Sequence, residues 1–229
     1  MLSIIFFLSM GTYQRNALYN SEIELMFDCI SKSPRKARPH HNLGYVYLNV
    51  GLLDDARKKF EEALRLDPLY VESIYSLGVV FHKKGLLEEA IGYYKKAADR
   101  ANIPDVLYRL GLAYIEKGLH IEAISTYEKL LEVKPEYESA HLNLGLAYGA
   151  LKKWSEAIQS FQGELRYHPD NFYAYIYLGF VYKELEDYPR AIGHLRKALS
   201  YPGVPDSEGI FKVISDLEAK HKHKGERQD

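Results

Sequence analysis

Residues 104–137, PDVLYRLGLAYIEKGLHIEAISTYEKLLEVKPEY, contain a Leu-Gly pair, an aromatic residue three positions after the glycine and an alanine twelve positions after it. The same features occur five times along the chain. The glycines are Gly44, Gly78, Gly111, Gly145 and Gly179, with steps of 34, 33, 34 and 34 residues between them. The alanines are Ala56, Ala90, Ala123, Ala157 and Ala191. A period of this length indicates stacked copies of one supersecondary unit.

The spacing of small and aromatic residues within each unit predicts two helices that cross closely. Glycine and alanine leave room where the helices approach, and the aromatic residues one turn after each would fill the space between neighbouring hairpins. Gly51, Gly85 and Gly118 come where a first helix should end, because the C-terminus of a helix favours glycine. Pro68 and Pro135 follow second helices, since proline is excluded from a helix interior.

These residues resemble the tetratricopeptide repeat (TPR) family over about residues 37–205. The units predicted on this pattern are 37–70, 71–103, 104–137, 138–171 and 172–205. Since one hairpin cannot bury its apolar face alone, the expected fold class is all-α, a right-handed superhelical solenoid of TPR helical hairpins. Glu164 departs from the family pattern, because it stands where the family has a small residue.

Residues 206–220 are predicted to form a C-terminal capping helix. Ile210, Phe211, Ile214 and Leu217 are expected to cover the last hairpin. Residues 221–229 are rich in charge and are expected to be a flexible tail.

The family resemblance implies that the first helix of each hairpin lines a concave groove. Counted from the unit starts, positions 2, 5, 9, 12 and 13 project into it, and they form an apolar, tyrosine-bearing surface with few charges. Such side chains would anchor an extended or helical peptide, although several could simply pack on each other across adjacent helices. The candidate groove residues are His41, Tyr45, Asn49, Tyr75, Val79, His82, Tyr108, Leu112, Ile115, Leu142, Leu146, Ile176, Phe180 and Lys183.

Composition and motifs predict a binding protein without catalytic residues, metal or cofactor. With 30 Lys and Arg against 31 Asp and Glu, the chain lacks the basic excess of a nucleic-acid-binding protein. Phosphate-binding glycine loops, zinc-protease helices and nucleophile-elbow motifs do not occur in the sequence. The leading hypothesis is a non-enzymatic protein–protein interaction scaffold that binds a peptide or protein segment of unknown identity in the groove.

The first 36 residues combine an apolar segment with a helix of a degenerate half-repeat, ending near Pro34. Residues 1–11, MLSIIFFLSMG, are too few for a spanning helix, which needs about 20 residues. They fit a signal peptide, a packed cap, or the end of a membrane helix from a longer polypeptide. The pattern Thr12-x-x-Arg15-Asn16-x-x-Tyr19-x-Ser21-Glu22 is followed by Lys32-Ser33-Pro34-x-x-x-Arg38 and then by Asn42-Leu43-Gly44. This pattern resembles the junction between the last membrane helix and the repeats in polytopic glycosyltransferase-like TPR membrane proteins.

That second resemblance implies an alternative function, in which the repeats present a substrate or partner to a membrane glycosyltransferase system. Membrane association would then run through residues 1–11, and the repeats would lie outside the cytoplasm. Self-association through exposed repeat ends is a third hypothesis. The sequence leaves open whether the chain is cytoplasmic or attached to a membrane.

Overall fold

A computed structural model describes residues 22–225 of the chain, with side chains to residue 222. The chain divides into two compact units, unit 1 (Met1–Val106) and unit 2 (Leu107–Asp229), and the division falls within a helix. Over the described residues the structure has twelve helices and no strand, which confirms the all-α repeat fold. The helices are α1 (22–32), α2 (Ala37–Asn49), α3 (Leu53–Leu66), α4 (Val71–Lys83), α5 (Leu87–Ala98), α6 (Pro104–Glu116), α7 (His120–Val133), α8 (Ala140–Ala150), α9 (Trp154–Tyr167), α10 (Phe172–Glu184), α11 (Tyr188–Leu199) and α12 (Ser207–Gly225).

Each first helix ends in the same tight turn. After α2, Gly51 has φ 84°, its N–H donates to the Leu48 carbonyl, and the Leu52 N–H donates to Tyr47. This pair of bonds is the Schellman motif, which satisfies carbonyls that the helix end leaves without partners. The same bonds follow α4 and α6, where the left-handed residue is again glycine.

The turns after α8 and α10 adopt this geometry without glycine. Lys152 and Glu186 occupy the left-handed position, with φ values of 56° and 55°. The Lys153 and Asp187 N–H groups close the turns. Glycine therefore marks three of the five turns in the sequence. The other two turns adopt the same conformation with lysine or glutamate at the left-handed position.

The repeated glycine faces the ring or branched side chain sixteen positions later in its own hairpin. A Cβ atom added at Gly78 would lie 2.5 Å from Cδ1 of Tyr94, and one added at Gly145 would lie 2.5 Å from Cε1 of Phe161. Both rings are buried. The sequence predicted that these aromatic residues fill space between hairpins, whereas the structure shows that they also pack directly on the glycine within one hairpin.

Each unit has an apolar core built by helices that pack on their neighbours along the chain. In unit 1, α3 contacts α4 and the core includes Leu43, Phe60 and Leu77. In unit 2, α9 contacts α10 and α11 contacts α12. One cluster there extends from Phe161 to Leu217, so the last helix belongs to the core of unit 2.

The expected role of Phe211 is wrong. Ile210, Ile214 and Leu217 of α12 are buried as expected, but Phe211 is 60% exposed. At about 100° per residue, Ile210, Ile214 and Leu217 fall within about 60° of each other around α12, whereas Phe211 lies about 90° from the centre of that face. The helix also continues to Gly225, beyond the expected start of the tail, since residues 211–224 contain no proline or glycine.

Glu164 is fully buried in unit 2 and satisfies polar groups beside the starts of two first helices, α8 and α10. Its Oε2 accepts a hydrogen bond from the Leu142 N–H at 3.2 Å, and its Oε1 accepts one from Asn171 Nδ2 at 2.9 Å. The first N–H groups of a helix lack partners within the helix. The departure from a small residue therefore supplies an acceptor to the neighbouring first helix.

The apolar segment at residues 1–11, with its proposed signal, membrane or capping role, lies outside the described residues. Within residues 22–225, no helix is both long enough and apolar enough to cross a bilayer.

Candidate binding face

The first helices of the hairpins lie beside each other within each unit. In unit 1, α2 contacts α4, and in unit 2, α8 contacts α10. We call the first-helix side chains at positions 2, 5, 9, 12 and 13, counted from the start of each repeat, the first-helix face. These are the residues that the sequence places in the groove.

His41 joins the first two hairpins of unit 1. Its Nδ1 lies 3.0 Å from Oγ of Ser73, and its ring lies 5.3 Å from that of Tyr70. Burial of the imidazole lowers the pKa of His41, against the opposing effect of the Glu72 carboxylate. His41 is therefore half-buried and neutral at physiological pH, with its Nδ1 already bonded within the fold.

Tyr75 and His82 cover the buried Tyr94 ring. The centroids of Tyr75 and Tyr94 are 5.9 Å apart, and those of His82 and Tyr94 are 6.2 Å apart in an edge-on arrangement. Both covering side chains keep part of their surface exposed. A ligand lying on α4 would meet these two rings.

The other candidates in unit 1 differ in how much surface they offer. Tyr45 is 53% exposed and Asn49 is also exposed, whereas only 9% of Val79 is accessible. Val79 therefore acts mainly in packing.

Tyr108 is the centre of an aromatic group in unit 2. Its ring lies 6.1 Å from Tyr127 and 5.1 Å from Tyr137, and its hydroxyl accepts a hydrogen bond from Asn143 Nδ2 at 3.3 Å. A cavity of about 380 Å³ is lined by Tyr108, Tyr137 and Lys134 with two neighbours. The tyrosine is thus held in place while one side of it borders open space.

The remaining candidates of unit 2 lie on α6, α8 and α10 and are apolar except for Lys183. Five of these candidates are half-buried, namely Leu112, Ile115, Leu142, Leu146 and Phe180. Ile176 is 8% exposed and belongs to the core. The ammonium group of Lys183 lies over the Phe180 ring at 6.0 Å.

An apolar pocket of about 200 Å³ opens between α8 and α10 of unit 2. Its buried side includes Phe161, whose ring stacks on Tyr177 with centroids 5.6 Å apart. Two predicted residues, Leu146 and Phe180, also line it. The other lining residues are Gly145, Gly149, Ala150, Trp154, Val181 and Glu184.

Among the described side chains, no cluster of three or more His, Cys, Asp or Glu residues could hold a metal ion. Tyr148 donates a hydrogen bond to Glu128 at 2.6 Å, and burial together with that bond raises the pKa of Tyr148 to about 12. This phenol is protonated at neutral pH and is a hydrogen-bond donor, not a base.

Family sequence profiles match most of the repeat region. The profile described as tetratricopeptide repeat matches residues 41–106 and 142–207, and one described as TPR repeat matches residues 111–152. The chain belongs to the tetratricopeptide repeat family. The resemblance inferred from the glycine and alanine positions is thereby confirmed.

Solved TPR structures are similar to this TPR chain in fold. YrrB, described as a TPR protein with an unusual peptide-binding site, superposes with a TM-score of 0.74 at 22% identity, over 83% of this chain and 98% of YrrB. MamA superposes with a TM-score of 0.67 at 25% identity, over 69% of this chain and 93% of MamA. At these identities the likeness to YrrB concerns the fold.

Two curated relatives match shorter parts of this TPR chain. A protein O-mannosyl-transferase from Caenorhabditis elegans is 36% identical over 69 residues, which are 30% of this chain and 10% of the transferase. A TPR repeat-containing protein from Methanocaldococcus jannaschii is 40% identical over 53 residues, 23% of this chain and 9% of that protein. The matched regions span about a tenth of each relative. A match of this length does not extend the transferase activity of the first relative to this chain.

The fold of this TPR chain is that of a protein–protein interaction scaffold, and proteins of this family are generally non-enzymatic.

Sequence reasoning missed Trp154 and Tyr177, which lie outside the counted groove positions and yet line the pocket. The available signal was that Trp154 is the only tryptophan of the chain, at the start of α9.

Proposed function

We propose that this TPR chain is a scaffold that binds a peptide or protein segment on its first-helix face, through apolar and aromatic contacts. The observation that supports this most directly is the set of half-buried apolar side chains on the first helices of unit 2, among which Leu146 and Phe180 line the same pocket. These side chains are held by the core and keep accessible apolar surface. Binding would bury that surface at little cost in side-chain entropy.

In unit 2, polar groups on this face suit orientation of a ligand, because the Tyr108 hydroxyl is positioned by Asn143. Protein-binding surfaces commonly combine rigid aromatic side chains with a few placed polar groups. The peptide-binding description of YrrB is consistent with this function for the fold.

A matched pair of truncations tests the proposal. Proteins captured from a source lysate by the immobilised chain are identified by mass spectrometry, and the best of them is purified and titrated against variants. Phe180→Ala should weaken binding by about 30-fold, which corresponds to about 2 kcal/mol for an interface anchor. Phe211→Ala removes the same side chain from α12 and should change affinity little, because α12 is not one of the first helices that carry the proposed face.

Thermal melting of both variants shows whether they remain folded at the titration temperature. An affinity that falls for Phe211→Ala and stays constant for Phe180→Ala would move the interface to the C-terminal helix and refute the proposal. The affinity for the partner should also change little with salt concentration, since this face has few charges.

A further inference from the structure

The pocket of unit 2 exists because the repeat at 138–171 has two small residues at positions where the other four repeats have larger ones. Gly149 and Ala150 occupy positions 12 and 13, which Ile115 and Glu116 occupy one repeat earlier. In unit 1, the His82 side chain at position 12 covers the Tyr94 ring, with Nδ1 3.5 Å from the hydroxyl. Glycine at that position cannot cover Phe161, so the space beside Phe161 and Trp154 stays open.

We infer that this pocket receives one large apolar side chain, of leucine or phenylalanine size, from a peptide whose adjacent residues include lysine or arginine. The inference rests on the proposed function and names the chemistry of its ligand. The apolar part follows from the lining, in which Leu146, Trp154 and Phe180 surround a space of about 200 Å³. A polar side chain entering there would lose its hydrogen bonds to water without replacement.

The basic part follows from the one carboxylate that lines the pocket. Glu184 is exposed at the end of α10, and no cationic group lies within ion-pair distance of it among the described side chains. The ammonium groups of Lys183 and Lys153 lie over the rings of Phe180 and Tyr148. A cation placed beside the inserted side chain would therefore find an accessible acceptor in Glu184.

Gly149 offers a test that leaves the fold intact. An added Cβ meets no described atom within 4 Å, so Gly149→Leu fills the pocket without a clash at the backbone. Gly193 in α11 is the matched control, because it is helical, exposed and equally open around its Cβ. Both replacements remove a helical glycine, so neither should lower the melting temperature.

A library of short random peptides displayed on phage is selected on the wild-type protein. Enriched peptides are then synthesised with a fluorophore and titrated by anisotropy. The expected consensus is a large apolar residue next to lysine or arginine. Gly149→Leu should weaken binding by at least about tenfold, and Gly193→Leu should leave it unchanged.

Glu184→Gln should lower the preference for a basic over an uncharged neighbour by about threefold, as expected for an exposed ion pair. Replacing the apolar residue of the peptide by alanine should weaken binding to the wild type and have little further effect on Gly149→Leu. An unchanged preference in Glu184→Gln would overturn the basic part of the inference.

Three outcomes would overturn the pocket itself. They are the absence of enriched peptides, enriched peptides without an apolar consensus, and equal affinity of the wild type and Gly149→Leu. If a captured partner or peptide is lost with Leu112→Ala but retained with Gly149→Leu, the proposed function stands and only the pocket inference fails. Concentration-dependent dimerisation in sedimentation equilibrium that Gly149→Leu removes would instead assign the pocket to a second copy of the chain.

Discussion

Replacing Gly78 by alanine tests the contact that sets how closely the helices of a hairpin cross. The added methyl carbon would lie 2.5 Å from two ring carbons of Tyr94, compared with about 3.5–4.0 Å for an ordinary contact. Tyr94 is fully buried, with Tyr75 and His82 packed against its ring. The ring must therefore move by about 1 Å against occupied space.

The expected magnitude is a balance of two effects. Overpacking a core costs about 1–3 kcal/mol, whereas removing a glycine from a helix interior gains about 1 kcal/mol. Gly78→Ala should thus destabilise unit 1 by up to about 2 kcal/mol. Gly92→Ala in α5 is the control, because Gly92 is exposed and its added Cβ meets no described atom within 4 Å. This variant should therefore be stabilised by the full value of about 1 kcal/mol for removing a helical glycine.

Urea denaturation followed by circular dichroism compares the two variants, and hydrogen exchange locates the change. Gly78→Ala should speed amide exchange in α4 and α5, while Gly92→Ala should slow it. Repeat proteins can lose cooperativity between units, so the local exchange rates decide the result. If both alanines stabilise equally, the tight glycine–tyrosine contact does not set the hairpin crossing.

Three further predictions address α12, a buried acid and a half-buried histidine. Leu217→Ala should cost about 2–5 kcal/mol in the free energy of unfolding because the side chain is 1% exposed, whereas Phe211→Ala should change it by less than about 0.5 kcal/mol, as thermal melts would show. Glu164→Ala leaves the Leu142 N–H without its acceptor and should cost about 1–3 kcal/mol; hydrogen exchange at that amide should accelerate, and less so in Glu164→Gln. Burial lowers the pKa of His41, so the unfolded chain binds a proton there first and the free energy of unfolding should fall as the pH drops below about 6.5. His41→Gln should reduce that fall, and an unchanged slope of the unfolding free energy between about pH 7 and pH 5 would contradict the assignment.

The candidate face was predictable as a set of positions but not as a set of accessible surfaces. Counting positions from the start of each repeat selected Leu146 and Phe180, which line the pocket. It also selected Val79 and Ile176, which are 9% and 8% exposed, since a helix position specifies a direction but not what lies there. Trp154 was outside the counted positions because a second helix supplies it.

The sequence by itself determined the all-α repeat fold and the family. These properties depend on small residues, turn residues and a period, all of which act over short distances along the chain. The tertiary structure alone decided which side chains are covered. His82 closes the space beside Tyr94, and Gly149 leaves the space beside Phe161 open. Whether a groove position packs or stays accessible depends on the volume of neighbours from other helices, which the repeat pattern does not specify.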